Sequence, residues 1–272
     1  MWSLIGAVLA ILGTPGGVFL LIFAASLTQY EFYQLVEQMG NRPYKYTATL
    51  FGTFFLLHVY AQPVGLSTIN SAVAAITLLL VLYSTTITLK QTPEAILKSL
   101  IPTLFGFVYI PVLFALPIEF IKNGPLYYSS ESVATLLVMW MIVVVKCADV
   151  GGLLIGCLFG KHHIAPAFSP KKTYEGLLGS LIFSIAAGVI FRYCSGHLWP
   201  NDFTLTATII VAAILSFFSL ISDLVESGLK RLANVKDSGH SIPGIGGIFD
   251  LTDSLVLTLP LGVILIKTFV LC

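Results

Sequence analysis

Charged residues are scarce in this chain, and many of them gather in one stretch near its C-terminal end, residues 222–254. Asp, Glu, Lys and Arg make up only 10% of the 272 residues. The stretch nevertheless carries eight of them between two apolar runs: Asp223, Glu226, Lys230, Arg231, Lys236, Asp237, Asp250 and Asp253. Carboxylates are the ligands that a hard cation such as Mg²⁺ prefers, and lysine and arginine bind phosphate. The composition of the stretch therefore indicates phosphate chemistry at a membrane surface.

The spacing of these residues predicts which of them lie together. If residues 220–230 are helical, one helix face carries four polar side chains, because residues three and four apart are neighbours. These are Asp223, Glu226, Ser227 and Lys230. Asp250 and Asp253 are one turn apart and could converge on one cation. A glycine-rich turn, residues 243–247, lies between the predicted helix at 220–230 and Asp250. This turn is flexible, and its backbone N–H groups could approach an anion.

The stretch resembles the signature of the phosphatidate cytidylyltransferases, also called CDP-diacylglycerol synthases. Thirteen positions fall in the register of that signature: Ser227, Leu229, Lys230, Arg231, Lys236, Asp237, Gly239, Ile242, Pro243, Gly246, Gly247, Asp250 and Asp253. Two positions depart from it. Ile245 stands where the family has His, and Leu251 stands where it often has Arg. The departures remove a loop histidine and one phosphate contact, but they leave the pair of carboxylates in place.

A second segment, residues 169–176, resembles the Ser-Pro-Lys-Lys-Thr-x-Glu-Gly motif of the same family. We predict that Ser169 caps a helix and that Pro170 is its first residue. Lys171 and Lys172 would then lie in a first turn, where the helix dipole opposes them unless an anion binds there. The resemblance implies substrate binding by five side chains: Ser169, Lys171, Lys172, Thr173 and Glu175. The alternative is that both lysines only fix the topology as cytoplasmic anchors.

Asp149 is a further candidate for substrate binding, because it is predicted near the cytoplasmic end of an apolar segment. A carboxylate inside a membrane is costly enough to indicate function. Lys146, one turn earlier, could instead neutralise it in a structural pair. The family commonly has Asp followed by small residues here, and Asp149 is followed by Val150, Gly151 and Gly152. The cost and the resemblance together favour a functional role.

Three carboxylates are the candidate metal ligands: Asp223, Asp250 and Asp253. They suit Mg²⁺, which keeps waters and bridges protein to phosphates, and a second cation is left open. The alternative is that Asp250 and Asp253 cap the last helix, where acidic residues are favourable. Together with Lys230 and Arg231, these three are also the candidate catalytic residues. Five further residues of the stretch are candidates for substrate binding: Ser227, Lys236, Asp237, Gly246 and Gly247.

The resemblance implies a reaction in which phosphatidate and CTP give CDP-diacylglycerol and pyrophosphate. Both substrates are polyanions, so Lys171, Lys172, Lys230, Arg231 and Mg²⁺ would supply the positive charge. The attacking phosphate monoester has a second pKa near ~6, so a dedicated general base is not required. One alternative is a cation-coupled transporter, which Asp149 and glycine-broken spans would suit. Another is a different CTP-dependent lipid enzyme, such as a polyprenol kinase, which would release CDP.

The composition of the chain is that of an integral membrane protein. It is 57% hydrophobic with a mean hydropathy of +0.94, well above the ~45–50% apolar content of soluble domains. A net charge of +1 argues against a nucleic-acid binder, which would need a basic surface. No basic region precedes the first apolar run, so no cleavable signal is predicted. The partners implied by the resemblance are CTP, phosphatidate and the lipid bilayer, and a homodimer is left open.

Eight apolar segments are candidates for bilayer crossings, which take roughly 20 residues each. They are 4–27, 47–61, 70–89, 99–121, 132–159, 177–197, 204–222 and 248–271. The glycines and proline of residues 13–17 could divide the first segment, so we expect seven to nine crossings. The fifth segment contains Lys146, Asp149 and two glycines, which predicts a broken helix there. The predicted fold class is an all-α polytopic membrane protein of about eight transmembrane helices with a cytoplasm-facing polar active-site cavity.

The distribution of basic residues predicts the orientation. With the N-terminus outside, four loops face the cytoplasm: 28–46, 90–98, 160–176 and 223–247. These loops hold ten of the fourteen Lys and Arg residues, a strong positive-inside bias. We predict an integral protein of a bacterial inner (plasma) membrane with its active site facing the cytoplasm. Residues 30–37 look amphipathic and are predicted to extend the first helix along the interface.

The whole chain, 1–272, is predicted to be a single integral membrane domain, because it shows no internal repeat and no soluble domain. Its N-terminal helices, 1–121, precede a C-terminal part, 122–272, that carries every candidate catalytic and binding residue.

Overall fold

The computed structural model describes residues 2–64, 68–87, 92–128, 131–166, 169–239, 241 and 246–271. Helices make up most of this part of the chain. The elements in order are α1 (Trp2–Gln38), α2 (Lys45–Ala61), α3 (Thr68–Ile87), α4 (Pro93–Phe107), a π-helical turn (Val108–Val112), α5 (Leu113–Lys122), α6 (Gly124–Tyr127), α7 (Glu131–Phe159), β1 (His163–Ala165), β2 (Ser169–Thr173), α8 (Tyr174–Ser195), a 3₁₀ turn (Gly196–Leu198), α9 (Leu205–Leu232) and α10 (Phe249–Leu271).

The prediction of a helical membrane protein is confirmed. Each of the eight apolar segments falls on a helical element. Five helical stretches of the described chain are long and apolar enough to cross a membrane: Glu94–Lys122, Ser132–Phe159, Tyr174–Leu198, Leu205–Leu232 and Phe249–Phe269. The number of crossings stays a prediction. The predicted loops are shorter than expected, because α1 continues to Gln38 and α9 to Leu232.

Neither of the two predicted helix breaks occurs. α1 is continuous from Trp2 to Gln38 with Pro15 inside it, and α7 is continuous from Glu131 to Phe159. The glycines of α7 serve helix packing instead. A Cβ added at Gly151 would lie 2.7 Å from the Gly179 carbonyl oxygen of α8. Small residues let two helix backbones approach this closely, so the glycines permit the contact between α7 and α8.

The chain divides into two compact units that interleave in sequence. The first consists of Met1–Gly17, Asn123–Gly228 and Asp253–Cys272. Its aromatic core contains Trp140, Trp199 and Phe203, and the Trp140 and Phe203 ring centroids are 5.4 Å apart in an edge-to-face arrangement. The Trp140 indole donates a hydrogen bond to the Gly188 carbonyl of α8 (3.1 Å). This core joins α7 and α8, which lead into and out of the β1–β2 hairpin.

The second unit consists of Val18–Lys122 and Leu229–Thr252. Its core contains the end of α1: Phe32 is 1% exposed and Tyr33 is fully buried. The Tyr33 hydroxyl donates to the Thr103 carbonyl of α4 (2.8 Å), and the Phe32 ring meets the Phe249 ring edge-on at 6.0 Å. Residues 30–37 therefore extend the first helix as predicted. Most of these side chains are packed inside protein, and their position relative to the membrane interface stays a prediction.

Candidate active site

Asp149 is the centre of a polar cluster in the first unit. Its Oδ1 accepts a hydrogen bond from the Ser219 hydroxyl (2.7 Å). Its Oδ2 accepts from the Lys146 ammonium (3.0 Å) and from the Ser254 hydroxyl (3.0 Å). Lys146 also donates to Ser254 Oγ (2.6 Å). We call these four residues the Asp149 cluster. α7 places Lys146 and Asp149 one turn apart, while α9 and α10 supply the two serines.

The Asp149 cluster confirms the pairing with Lys146 that the sequence leaves as one alternative. Pairing and hydrogen bonding explain how the carboxylate is tolerated in an apolar helix. Asp149 nevertheless also lines a cavity, described below. A role for it in substrate binding therefore stays a prediction.

Residues 169–173 form a β-strand. The prediction that Ser169 caps a helix and that Pro170 begins it is therefore wrong. β2 pairs antiparallel with β1, with His163 opposite Thr173. The hairpin provides the backbone of this segment with partners that a helical turn would otherwise have provided. The lysines of the motif are thus presented by a strand, and the helix dipole does not act on them as expected.

The start of α8 is fixed by two residues that were predicted to bind substrate. The Thr173 hydroxyl caps the helix by accepting a hydrogen bond from the Gly176 N–H (3.1 Å). Glu175 accepts hydrogen bonds from the backbone N–H groups of Lys161 (3.1 Å) and His162 (3.2 Å). The His162 Nδ1 lies 2.7 Å from the other Glu175 oxygen. Both residues thus fasten the hairpin to α8, and their contact with substrate stays a prediction.

The two lysines of β2 differ in their surroundings. Lys172 is half-buried, and its ammonium donates a hydrogen bond to the Asp223 carboxylate of α9. Lys171 is exposed. The structure therefore brings together a predicted phosphate ligand and a predicted metal ligand that lie 51 residues apart in sequence.

A cavity of about 320 Å³ opens beside this ion pair. Six of the predicted substrate and metal residues line it: Asp149, Ser169, Lys171, Lys172, Thr173 and Asp223. The volume is at the lower end of the roughly 300–1,000 Å³ typical of ligand pockets. Lysines and aspartates thus line one open cavity, a combination that suits a phosphate with its counter-cation.

One carboxylate oxygen of Asp223 is available to bind a metal ion. Its Oδ1 is buried and accepts no hydrogen bond within the described part of the chain. Asp253 lies on α10 of the same unit, where its Oδ1 accepts from the Ser254 N–H (2.6 Å). Among the described residues, no three His, Cys, Asp or Glu side chains form a ready-made metal site. A cation held here would therefore take its remaining ligands from water and substrate phosphates, as Mg²⁺ usually does in proteins.

Asp250 organises the loop that joins α9 to α10 in the second unit. We call residues 233–248 the signature loop. The Asp250 carboxylate accepts hydrogen bonds from the Lys230 ammonium (3.0 Å), the Ser238 N–H (3.0 Å) and the Gly247 N–H (2.7 Å). Gly246 has a φ of 117°, and a Cβ there would lie 2.6 Å from Asp250 Oδ2. Glycine is therefore required at this position by the backbone conformation and by the nearby carboxylate.

Residues 220–230 lie within α9, as predicted, and two charged residues of the predicted face have partners on other parts of the chain. Lys230 pairs with Asp250, and Asp223 pairs with Lys172. The Gly247 N–H is committed to Asp250. The anion that this N–H approaches is therefore a carboxylate of the protein, and binding of a substrate anion by the turn stays a prediction. Asp250 already accepts three hydrogen bonds, so its contribution to a metal site stays a prediction.

Glu31 has no role in the sequence-based prediction, yet it contacts the signature loop directly. Its side chain is 1% exposed. Its Oε2 accepts a hydrogen bond from the Phe249 N–H (2.8 Å), and its Oε1 accepts from the Ser241 hydroxyl. One signal in the sequence could have identified it. Glu31 is an acidic residue next to two aromatic residues at the end of a long apolar run, where a carboxylate is costly.

The remaining candidates lie at the surface of their units. Arg231, Lys236 and Asp237 are exposed, and Ser227 is half-buried on α9. Lys236 and Asp237 line a second cavity of about 890 Å³ in the second unit, together with Lys45 and residues of α1. The hydrogen bond that Lys45 donates to Glu37 (2.6 Å) raises the pKa of its ammonium above the usual value. An ion pair between Lys45 and Glu37 therefore forms that edge of the cavity.

Part of the predicted turn lies outside the described residues. This applies to Ile242, Pro243, Gly244 and Ile245, and hence to the position where the family has His. Leu251, the second departure from the signature, is half-buried in the first turn of α10.

The sequence profile of the cytidylyltransferase family matches residues 1–269. The chain therefore belongs to the cytidylyltransferase family.

Individual relatives are similar to the chain over a shorter stretch. It is 38% identical over 159 residues to the phosphatidate cytidylyltransferase of Staphylococcus haemolyticus, covering 57% of this chain and 59% of that protein. It is 37% identical over 157 residues to the phosphatidate cytidylyltransferase of Staphylococcus saprophyticus, with the same two coverages of 57% and 59%. It is 39% identical over 145 residues to the phosphatidate cytidylyltransferase of Staphylococcus aureus, covering 52% of this chain and 54% of that protein. The chain thus matches a little over half of the length of these relatives.

Proposed function

We propose that the protein is a phosphatidate cytidylyltransferase, which transfers CMP from CTP to phosphatidate and releases pyrophosphate. One observation carries the proposal. The β2 lysines and the Asp149 and Asp223 carboxylates face a common cavity, in a membrane protein of the cytidylyltransferase family. The names of the staphylococcal relatives support the choice of phosphatidate as the acceptor.

The chemistry requires positioning and charge neutralisation more than proton transfer. An oxygen of the phosphatidate monoester attacks the α-phosphorus of CTP. The bond from that phosphorus to the bridging oxygen breaks, and pyrophosphate leaves with the electron pair. The nucleophile is largely ionised at neutral pH, since its second pKa is near ~6. A general base is therefore dispensable, and holding the two polyanions in line supplies most of the rate.

Lys172 is the residue best placed to bind the CTP phosphates. Its ammonium lines the cavity and is held by Asp223. An entering phosphate would compete with Asp223 for that ammonium, which frees a carboxylate as the anion binds. Lys171, exposed at the same strand, adds charge at the rim. Lys230 and Arg231, at the end of α9, are the further cations that we assign to the reaction.

Mg²⁺ is the cofactor that we propose, with Asp223 and Asp253 as its foremost protein ligands. The unpartnered Oδ1 of Asp223 and the all-oxygen donor set suit a hard cation. When bound, the ion would supply charge stabilisation at the phosphates. Asp250 remains a candidate ligand, although its hydrogen bonds favour a role in holding the signature loop.

The proposed arrangement in the membrane has about eight crossings, with the N-terminus outside and the site facing the cytoplasm of a bacterial inner membrane. The positive-inside bias supports this orientation. It places the cavity on the side where CTP is available.

The proposal is tested by product analysis with the purified full-length chain in detergent micelles that contain phosphatidate. We expect equal amounts of pyrophosphate and CDP-diacylglycerol, dependent on both substrates and on Mg²⁺. The Asp223→Asn variant, reconstituted in the same way, serves as the inactive comparison. Release of CDP with a phosphorylated lipid would identify a kinase instead. Cation uptake in sealed vesicles without any nucleotidyl transfer would identify a transporter.

A further inference from the structure

We propose that Glu31 is the positioning residue of the signature loop and fixes the backbone that presents Lys236, Asp237 and the loop glycines. Its effect on activity rests on the proposed function. Its effect on the loop itself does not. The residue lies on α1, more than 200 positions from the loop in sequence, and both are in the second unit.

The Glu31 carboxylate accepts hydrogen bonds from two points of the chain, one within the signature loop and one at the start of α10. One oxygen accepts from the Ser241 hydroxyl and the other from the Phe249 N–H (2.8 Å). Phe249 is the first residue of α10, and its N–H has no acceptor within its own helix. A carboxylate at a helix N-terminus is also favoured by the helix dipole. The Glu31 carboxylate thus accepts from the first N–H of α10 and, through its other oxygen, from Ser241 in the segment before that helix.

Two glycines of the signature are explained by this carboxylate. A Cβ added at Gly239 would have three Glu31 atoms as its nearest neighbours, with Cδ at 2.8 Å and Oε1 at 2.9 Å. A Cβ added at Gly247 would collide with Glu31 Oε2. The loop backbone therefore closes around the Glu31 side chain, and it can do so only where side chains are missing.

α1 is itself held rigidly at this point, which makes it a suitable support. Tyr33 is fully buried and bonded to Thr103 of α4. One turn before Glu31, the Thr28 and Thr252 hydroxyls are 2.7 Å apart and form a second tie to the start of α10. The position of Glu31 relative to α10 is therefore fixed by contacts on both sides of it.

The loop is held between two carboxylates, each with a separate set of donors. Asp250 accepts from the Ser238 and Gly247 N–H groups, and Glu31 accepts from Ser241 and Phe249. Removing Glu31 leaves the Asp250 contacts in place. We therefore expect the loop to loosen without unfolding of the protein.

The first measurement is hydrogen–deuterium exchange of peptides from residues 233–249 in the full-length chain. Glu31→Ala is expected to speed exchange there by at least about tenfold, because local opening becomes easier. Glu31→Gln keeps the shape and one acceptor oxygen, so a smaller acceleration is expected. Glu94→Gln, an exposed acid in the first turn of α4, is the matched control and should leave the loop unchanged. Unchanged exchange in both Glu31 variants overturns the proposal.

The second measurement is a double-variant cycle on the steric contact. Gly239→Ala alone should lower kcat/KM for CTP by about tenfold to a hundredfold, since the methyl group collides with Glu31. In the Glu31→Ala background the same change should cost less than about threefold, because the space is then open. Additive effects would show that Gly239 does not act through Glu31 and would contradict the proposal.

The kinetic pattern separates positioning from a general loss of structure. Glu31→Gln should change KM for CTP and kcat while the melting temperature in detergent stays within a few degrees. If the Glu31→Ala protein fails to fold, the Gln variant and the Gly239 variant still decide the matter. If the natural protein shows no cytidylyl transfer, the proposed function fails. The exchange experiment then tests the role of Glu31 by itself.

Discussion

The Lys172 ammonium donates a hydrogen bond to the Asp223 carboxylate, and this pair joins the β1–β2 hairpin to α9. The side chains are 25% and 19% exposed, so neither is fully screened by water. Each is a candidate for a different ligand, phosphate for Lys172 and a cation for Asp223. The two side chains pair with each other, so a phosphate or a cation that binds either of them would compete with this pairing.

The first prediction concerns this pair. Lys172→Met should weaken CTP binding by at least about tenfold and should also lower stability, because Asp223 then lacks its counter-charge. Adding Asp223→Asn should restore most of the melting temperature in detergent but not the CTP affinity measured by calorimetry. Lys161→Met, which removes an exposed lysine near the same hairpin, is the control. Normal CTP affinity in Lys172→Met would contradict phosphate binding by this residue and would favour the alternative that the β2 lysines only fix the topology.

The second prediction separates metal binding from loop support at the carboxylates. Asp223→Asn and Asp253→Asn should nearly abolish transfer, and residual activity should need more Mg²⁺ for half-saturation. Asp250→Asn should lower the rate by about tenfold to a hundredfold with an unchanged Mg²⁺ requirement, because it removes an acceptor from Lys230 and two N–H groups. A tenfold rise in the Mg²⁺ requirement of Asp250→Asn would make Asp250 a ligand after all.

The third prediction concerns the Asp149 cluster. Within the described part of the chain, Lys146→Met leaves the Asp149 carboxylate with the two serine hydroxyls as donors, and breaking a largely buried pair costs up to about 3–5 kcal/mol. We expect a clear fall in the melting temperature, largely reversed when Asp149→Asn is added. Lys98→Met, at an exposed position of α4, should leave it unchanged. Equal stability of Lys146→Met and the natural chain would mean that the pair contributes nothing to folding.

The fourth prediction tests the packing of α7 on α8. Gly151→Ala should destabilise by about 1–3 kcal/mol, because its Cβ would lie 2.7 Å from the Gly179 carbonyl oxygen. Gly156→Ala on the same helix is the matched comparison, since its nearest neighbour would be Thr173 Oγ1 at 3.3 Å. This second change should be close to neutral or slightly stabilising, as alanine favours helix. Equal costs at the two positions would contradict the close approach of the helices.

The fifth prediction concerns the position where the family has His. Ile245→His should change the transfer rate within about tenfold, or ~1.4 kcal/mol of barrier, because the nucleophile is already ionised. The natural chain should show no loop-dependent histidine limb near pH ~6.5 in its rate profile. A gain of several orders of magnitude in Ile245→His would establish the histidine as catalytic.

The helices and the two charged segments could be predicted from sequence, because apolar length and fixed motif register are local signals. The motif places Lys171 and Lys172 in one segment, but the segment is a strand and not the start of a helix. Ser169 followed by Pro170 fits a helix start as well as an extended chain, and only pairing with β1 decides between them. The glycines of α7 were ambiguous for the same reason: Gly151 permits either a break or a close contact.

Contacts between distant parts of the chain could not be predicted. Nothing in the spacing joins Glu31 to Phe249, or Lys172 to Asp223, because these pairs depend on how separate helices pack. Residues 220–230 are helical as predicted, yet Lys230 pairs with Asp250 and Asp223 pairs with Lys172, and neither partner lies on this helix. Periodicity orders residues along one helix, whereas a site is assembled from several.

The contact between α7 and α8 has a mechanical consequence. Along the seam formed by Gly151, Gly152, Gly176 and Gly179, the two helix backbones approach each other closely. A Cβ added at these glycines would also meet the side chains of Phe183, Ser180 and Ile155, so neither helix has room to shift against the other. β2 leads straight into α8, and Asp149 lies on α7 beside the seam. We therefore expect a displacement of Lys172 to be transmitted to Asp149 through the closely packed α8 and α7 helices, because this contact leaves them little freedom to move separately.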